Sequence, residues 1–231
     1  ENVVYSTMEK DAFRRDFTIN AMFFDLETEQ LIDLVEGQKD LKNKLIKTVG
    51  DPHARFQEDQ LRILRAARFS AQLDFKIDPA TSQAAASFAK NLQKISQERI
   101  QEECHKAFKS QKPILFLEEG KKTGWLTEVF LKDMFEGRWE HLKKFFAFRL
   151  EEPALGWAEL GLYFLRSSQD KKQWEALREF LKQKKLSNLI QQQVIDILQA
   201  EELWRSGQLA DFVQFVKTGN LSLAEAFWAR E

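Results

Sequence analysis

The feature that most constrains the fold of this chain is its scarcity of helix-breaking residues. Its 231 residues include only 9 glycines and 4 prolines, the residues that interrupt helices most strongly. Apolar positions also recur at spacings of three and four, as in the run from Leu61 to Leu73, and this is typical of amphipathic helices. The aromatic residues beyond residue 112 are interpreted as fillers of helix–helix contacts. The sequence therefore predicts a mostly α-helical protein.

Composition excludes several classes of protein. The chain carries 35 Lys and Arg against 36 Asp and Glu, so any binding of nucleic acid must use a local basic patch. Its single cysteine, Cys104, excludes a disulfide framework and is typical of a reducing cytoplasm. No apolar run approaches the ~20 residues that a membrane-spanning helix needs. We expect a cytoplasmic protein with no membrane segment.

Strand signals are confined to the start of the chain. Residues 18–25 are apolar and β-prone, and a polar tip separates them from the apolar run 31–35, which predicts a β-hairpin with a loop of four or five residues. Helices are predicted at 39–45 and 58–73, and further helices are predicted to begin at Asp78-Pro79 and Ser96. The chain starts at Glu1 rather than Met and shows no signal peptide. We expect it to be the C-terminal part of a longer protein.

The segment Arg14-Arg-Asp-Phe-Thr-Ile-Asn-Ala-Met22 is the first candidate site. Arginine offers a fork of donors to phosphate oxygens. Aspartate and asparagine side chains bind sugar hydroxyls through their oxygen and nitrogen atoms. Beside a strand, this combination suits a phosphorylated sugar. The alternative is a charged turn that leads into a buried strand.

The second candidate site is the segment Glu58-Asp-Gln-Leu-Arg-Ile-Leu-Arg-Ala-Ala-Arg-Phe69. On one continuous helix, Glu58, Asp59 and Arg62 would share a face, which Arg65 would continue and Arg68 would flank. Cytosine and adenine each present an amine donor beside a ring-nitrogen acceptor, whereas uracil and guanine present the reverse order. A fixed carboxylate beside a guanidinium would therefore select C and A. The alternative is a solvated helix with surface ion pairs.

Several spaced motifs together resemble one family. The segments RRDFTINAM, VGDP, EDQLRILRAARF and ISQERIQEE, with Asp33 and Asp40-Leu41 between the first two, follow the order and spacing of the class II tRNA nucleotidyltransferases. That family includes the CCA-adding enzymes and the bacterial poly(A) polymerases. The resemblance covers residues from about 11 to 108, and agreement among several motifs makes it specific.

The resemblance implies a fold, a division into domains and a set of binding residues. The expected fold is a short residual β-hairpin of a nucleotidyltransferase head followed by an all-helical neck, body and tail. The head would occupy residues 1–50, the nucleotide-selecting neck 51–111, and the tRNA-binding body and tail 112–231. Arg15, Asp16 and Asn20 would contact the ribose and triphosphate of the incoming nucleotide. The other implied nucleotide-binding residues are Asp59 and Arg62 on the base edge, Glu58 orienting Arg62, and Arg65 and Arg68 on phosphate or bracing the pocket. Glu98 and Arg99 would support the pocket by stabilising the turn that supports that helix.

The resemblance also implies chemistry that this chain does not carry. Family members have a GGxVRD-type loop and a DxD carboxylate pair, and neither occurs here. The two carboxylates of the DxD pair hold Mg²⁺ in those proteins. The nearest imitation is the pair Asp25 and Glu27, which we interpret as a solvated hairpin tip. We therefore expect no catalytic or metal-binding residue in this chain, the DxD pair to lie upstream of Glu1, and the isolated chain to be inactive.

The implied activity is addition of C, C and A from CTP and ATP to the 3′ end of tRNA, with release of pyrophosphate. Basic clusters are candidates for contacting the tRNA acceptor end, although each also fits a solvated helix face. They comprise Lys42, Lys44 and Lys47; Lys121 and Lys122; Lys143, Lys144 and Arg149; Lys171 and Lys172; and Lys182, Lys184 and Lys185. The alternatives are a poly(A) polymerase, an enzyme that adds only CC or only A, a non-catalytic RNA-binding helical module, and a purely helical interaction protein.

Overall fold

A computed structural model describes residues 7–166 and 172–208, and beyond these residues 211, 212, 214, 228 and 229. The chain divides into two compact units, one formed by Glu1–Ile95 and Leu115–Leu131 and the other by Ser96–Ile114 and Lys132–Glu231. Helices predominate in both, which confirms the predicted mostly α class. In the described ranges, no helix is both long enough and apolar enough to cross a membrane.

The first unit begins with short strands and continues with helices. Its elements are α1 (Met8–Arg14), β1 (Met22–Asp25), β2 (Gln30–Asp33), α2 (Gly37–Lys42), β3 (Leu45–Ile46), α3 (Pro52–Glu58), α4 (Leu61–Leu73), β4 (Lys76–Ile77), α5 (Pro79–Phe88), α7 (Pro113–Thr123, from residue 115 onward) and α8 (Leu126–Val129). Single 3₁₀ turns lie at Thr18–Asn20 and Ala89–Lys94. A buried core cluster is formed by Phe17, Ile46 of β3 and Ala66 of α4.

The predicted hairpin is confirmed in a shorter form. Strands β1 and β2 pair antiparallel, with Phe23 opposite Ile32, across a four-residue loop. The strand predicted from residue 18 is wrong before Met22, because Thr18 is held elsewhere. Its hydroxyl donates to the buried carboxylate of Asp40 at 2.8 Å, and its N–H donates to the carbonyl of Lys47 at 2.9 Å. These bonds fix residues 18–20 as a 3₁₀ turn.

Two further details differ from the sequence predictions, one a helix boundary and the other a short strand. The short helix predicted at 39–45 lies at Gly37–Lys42, because Lys44 adopts a positive φ of 52° and β3 then begins. Strand β3 pairs in parallel with β4, so the part of the chain after residue 50 is not entirely helical. The starts of α5 and of the next long helix, α6 (Gln97–Phe108), are confirmed, since Asp78 and Ser96 accept hydrogen bonds from the backbone N–H groups three residues ahead.

The single helix predicted over 58–73 is also wrong. Helix α3 ends at Glu58, and α4 begins at Leu61. Between them Asp59 is extended, at φ −150° and ψ 105°, and its Oδ1 accepts the N–H of Leu61 at 3.1 Å. Aspartate competes well for such local backbone bonds, so its carboxylate caps a new helix instead of continuing the old one.

The second unit is helical throughout its described part. Its helices are α6 (Gln97–Phe108), α9 (Trp139–Phe145), α10 (Pro153–Arg166), α11 (Lys172–Gln183) and α12 (Asn188–Arg205), with a 3₁₀ turn at Lys132–Phe135. The ring of Trp157 is fully buried, with its centroid 5.8 Å from that of Phe108 on α6 and 6.3 Å from that of Phe180 on α11. This packing agrees with the interpretation of the aromatics as core. Phe148 and Trp204 are exposed, and Phe215 and Phe227 lie outside the described residues.

The close approach of α6 and α10 gives a stability prediction. A Cβ at Gly156 would lie 2.6 Å from Cδ2 of the buried Phe108 ring. We expect Gly156→Ala to lower the free energy of unfolding by about 1–3 kcal/mol through overpacking, although alanine favours helix. Gly161→Ala in the same helix is the control, because its Cβ would meet the flexible end of Leu177 at 3.0 Å. Equal urea midpoints for the two variants would contradict the prediction.

His105 makes stability depend on pH. Burial lowers the pKa of His105 from 6.5 to about 4. Between these values the unfolded chain binds a proton that the folded chain does not, so stability is complete above pH 6.5 and falls as the pH drops toward 4. We expect the urea midpoint of the wild type to fall more between pH 7 and pH 5 than that of His105→Gln. Parallel pH curves would show that His105 is not responsible.

Candidate nucleotide-binding site

The two sequence segments with candidate site residues meet in the first unit. Arg65 of α4 donates from Nη2 to Oδ2 of Asp16 at 2.6 Å. One turn earlier, Arg62 donates from Nη2 to the carbonyl oxygen of Arg14 at 3.4 Å. Residues some 48 positions apart in the chain are thus joined at one surface. The site combines residues 14–20, the end of α3 and the first half of α4.

Asp16 is enclosed by the groups around it. Its Oδ1 accepts the N–H of Phe17 at 2.9 Å and the side-chain amide of Asn20 at 3.3 Å. Its Oδ2 receives Arg65, and only 9 % of the residue is exposed. This geometry suits Asp16 to positioning Asn20 and Arg65.

Arg15 presents its guanidinium at the surface of the same segment. It donates from Nη1 to the backbone carbonyl of Asn20 at 3.1 Å and from Nη2 to Asp11 at 2.8 Å. Hydrogen bonds from Arg15, and then from Arg14, lower the pKa of Asp11, so this carboxylate stays ionised and holds both side chains. Sequence reasoning missed Asp11, although its spacing of four to Arg15 on α1 was a usable signal.

Glu58 and Arg62 contact each other although they belong to different helices. Oε2 of Glu58 accepts Nη1 of Arg62 at 2.7 Å and Nη1 of Arg55 at 2.8 Å. These hydrogen bonds, that of Arg62 first, lower the pKa of Glu58. The contact predicted between Glu58 and Arg62 is present. Sequence reasoning missed Arg55, although its spacing of three to Glu58 was a signal that could have identified it.

Asp59 does not share the helix face predicted for it. Its extended backbone separates it from the face of Glu58, and its Oδ1 faces the N–H of Leu61. Asp59 is only partly buried at the start of α4, the helix that carries Arg62. The backbone carbonyl of Asp59 accepts the N–H of Arg62 at 3.2 Å, so the two residues are joined through the first turn of the new helix and not through a shared face of one continuous helix.

Arg68 lies deeper than the other arginines of α4. Only 7 % of the residue is exposed, its guanidinium carbon lies 3.8 Å from the centroid of the Phe69 ring, and its Nη1 donates to Gln72 at 2.8 Å. A cation over an aromatic face is an attractive contact. Of the two predicted roles, this position favours bracing the pocket over contacting phosphate.

Glu98 and Arg99 belong to the second unit, in the first turn of α6. The N–H of Arg99 donates to Oγ of Ser96 at 3.5 Å, which caps that helix. Both side chains are exposed. Their predicted support of the nucleotide pocket remains a prediction.

No group of three or more His, Cys, Asp or Glu side chains in the described ranges could hold a metal ion. Oδ1 of Asp25 accepts the N–H groups of Glu27 and Thr28, so this side chain shapes the hairpin turn. Burial raises the pKa of the Cys104 thiol to about 12, which suits a structural residue. The part of the chain that the structure describes therefore forms no Mg²⁺ site.

One basic cluster lines a cavity in the second unit. Lys182, Lys184 and Lys185 surround about 480 Å³ together with Gln97, Glu179 and Gln183. Nζ of Lys184 donates to Oε1 of Gln97 at 3.3 Å, and burial lowers the pKa of Lys184. Lys171 of another predicted cluster lies outside the described residues.

Comparisons of sequence find relatives of this chain. The family described as "Poly A polymerase head domain" matches residues 1–47, and the family described as "Probable RNA and SrmB- binding site of polymerase A" matches residues 74–135. A CCA-adding enzyme of Limosilactobacillus reuteri (strain DSM 20016) is 36 % identical over 95 % of this chain and 53 % of its own length. One of Enterococcus faecalis (strain ATCC 700802 / V583) is 52 % identical over 41 % of the chain and 23 % of its own length.

Comparisons of structure find similar folds among solved proteins. The CCA-adding enzyme of Bacillus stearothermophilus, solved in complex with CTP, superposes with a TM-score of 0.75 at 29 % identity, over 96 % of this chain and 54 % of that one. The chain spans about half the length of the curated relatives it matches. By its motifs, its matched domains and its fold, the chain resembles the family of tRNA nucleotidyltransferases and poly(A) polymerases.

Proposed function

We propose that this protein is a tRNA nucleotidyltransferase that adds C, C and A to the tRNA 3′ end. CTP and ATP are its substrates, and pyrophosphate is the second product. The observation that carries the proposal is the contact of α4 with residues 14–20, where Arg62 reaches the carbonyl of Arg14 and Arg65 reaches Asp16. This contact supports the proposal because Arg62, the residue proposed to read the base, then lies beside a segment suited to ribose and phosphate. The relatives named CCA-adding enzymes support the same activity.

Each candidate residue has a proposed role. Asp59 accepts a hydrogen bond from the exocyclic amine of C or A, and Arg62 donates to the neighbouring ring nitrogen. The hydrogen bonds of Arg62 engage Nη1 twice and Nη2 once. A guanidinium has five N–H donors, so Nε and one N–H of Nη2 remain for a base. U and G would face this pair with donor against donor and acceptor against acceptor.

The remaining residues bind or support the nucleotide. Arg15 and Asn20 contact the ribose and triphosphate, with Asp16 between them as a support. Arg65 and Arg68 brace α4, and Glu98 and Arg99 stabilise the start of α6. Mg²⁺, which would activate the primer hydroxyl and steady the pyrophosphate, is bound by parts of the whole protein other than this chain. We place the protein in the cytoplasm, in line with its buried, unpaired Cys104.

The tRNA acceptor end is the proposed macromolecular partner. Lysine clusters of the second unit, above all the one that lines the cavity beside Gln97, would contact its phosphates. We also propose the division into head (1–50), neck (51–111), and body and tail (112–231). In this division the first two parts hold the nucleotide and the third holds tRNA.

A stepwise extension assay tests the proposed function. The full-length protein is incubated with CTP, ATP and Mg²⁺ and with a tRNA that ends at its discriminator base, and products are resolved at single-nucleotide steps. Three additions by the full-length protein and none by this chain alone are expected. A long A ladder would indicate a poly(A) polymerase, a stop after one or two additions would indicate a partial enzyme, and no addition would indicate an RNA-binding module.

A further inference from the structure

The side chain of Arg55 is held in place by two hydrogen bonds. Its side chain is only 15 % exposed. Its Nε donates to the carbonyl oxygen of Val49 at 2.9 Å, and its Nη1 donates to Oε2 of Glu58 at 2.8 Å. Val49 is itself buried. The guanidinium of Arg55 therefore links the carboxylate of Glu58, at the end of α3, to the buried backbone of Val49, which lies just before α3.

The same residue reaches Arg62 by two routes. The backbone carbonyl of Arg55 accepts Nη1 of Arg62 at 3.0 Å. The side chain of Arg55 acts through Glu58, because Oε2 of Glu58 is shared between the two guanidinium groups at 2.7 and 2.8 Å. The third acceptor of Arg62, the carbonyl of Arg14, is more distant at 3.4 Å. The first of these acceptors is backbone, which a substitution of Arg55 keeps, whereas the position of Glu58 depends on the Arg55 side chain.

Glu58 needs this second cation in order to orient Arg62. Its side chain is 52 % exposed, and it is the last residue of α3, so a single hydrogen bond to Arg62 would let both side chains move together. Two charge-assisted bonds to one oxygen fix that oxygen between two anchors. Reading a base edge requires its donor to be held within a fraction of an ångström.

We infer that Arg55 is a positioning residue for base selection, which fixes Glu58 and through it the guanidinium of Arg62. This inference rests on the proposed function. It assigns to Arg55 an effect on the choice between C or A and U or G, without any contact to the nucleotide. Loss of the Arg55 side chain leaves Arg62 and its charge in place. Glu58 is then free to move, and the N–H donors of Arg62 move with it. Discrimination then falls more than binding of the triphosphate does.

The test compares single-nucleotide additions by the full-length protein and its Arg55→Gln variant. The ratio of kcat/KM for CTP over UTP, and for ATP over GTP, is measured on matched tRNA ends. We expect each ratio to fall about tenfold or more in Arg55→Gln, with the KM for CTP changed less than threefold. Arg55→Lys should recover part of the loss, since lysine reaches Glu58 but cannot also donate in a fork to Val49.

Two further variants keep the test decisive. Lys39→Gln removes an exposed pair with Glu36 in the same unit and is the matched control, expected to leave both ratios unchanged. If Arg55→Gln does not fold, Arg55→Lys and Glu58→Gln carry the test instead, since both should lower the ratios. In a folded protein, Arg55→Gln and Glu58→Gln combined should lose about as much as either alone, because they break one unit.

The outcomes separate this inference from the proposed function. A full-length protein that adds no C or A overturns the function and the inference with it. A protein that adds C, C and A while Arg55→Gln keeps both ratios within twofold of wild type overturns the inference alone. So does a combined variant whose losses are additive, or a Glu58→Gln variant with unchanged ratios.

Discussion

Arg62→Ala in the full-length protein is expected to reduce kcat/KM for CTP and ATP by roughly 10- to 150-fold, the range for a charge-assisted hydrogen bond of about 1.5–3 kcal/mol. The structure gives the reason. Arg62 is held by Glu58 and by the carbonyls of Arg55 and Arg14, so its free donors point from a fixed position. Removing them removes the group that we propose to distinguish C and A from U and G. The measurement is single-turnover addition of each of the four nucleotides.

The control for this prediction is Arg62→Lys. Lysine keeps the positive charge and loses the planar fork, so binding of the triphosphate should survive better than discrimination between bases. If Arg62→Ala retains both the rate and the choice of C and A, the proposed base-edge role of Arg62 is wrong. The assay also reports folding, because a variant that still adds C and A is a folded enzyme.

Arg138→Met is expected to lower the free energy of unfolding by about 3–5 kcal/mol, the usual cost of removing one partner of a buried ion pair. Glu159 of α10 is fully buried. It accepts Nη2 of Arg138 on its carboxylate and, at 2.9 Å, on its backbone carbonyl, and Nε2 of His141 lies 3.2 Å from its Oε1. Methionine fills the volume but leaves the carboxylate without its main cation. Urea unfolding followed by circular dichroism measures the effect.

Two variants calibrate this result. Lys143→Gln breaks an exposed pair with Glu140, and such pairs contribute ~0–1 kcal/mol, so its urea midpoint should stay near that of the wild type. Arg138→Met combined with Glu159→Leu removes both charges and should recover much of the loss. A midpoint of Arg138→Met close to that of Lys143→Gln would mean that the pair adds no stability.

The candidate site shows where prediction from sequence succeeds and where it stops. The contact of Glu58 with Arg62 was predicted from helical spacing and is present, but for a different reason, because a helix break lies between the two residues. Aspartate fits either a helix or a cap, and the local sequence carries both signals. The break is decided by the hydrogen bond that the N–H of Leu61 donates to Asp59 and by the burial of Phe56 of α3 and Leu64 of α4.

The sequence by itself determined the helical class, the hairpin, the capped starts of α5 and α6, and the segments that carry the site, because these follow from local periodicity, capping residues and turn chemistry. Only the tertiary structure decided that Arg65 meets Asp16, that Arg68 is buried against Phe69, and that Arg55 joins Val49 to Glu58. The first of these contacts depends on how distant segments fold onto one another, whereas the other two join residues close in the chain and depend on the rotamers that burial imposes. Spacing along the chain limits which side chains can meet within a helix. Which distant side chains meet is set by the burial of shared apolar surface.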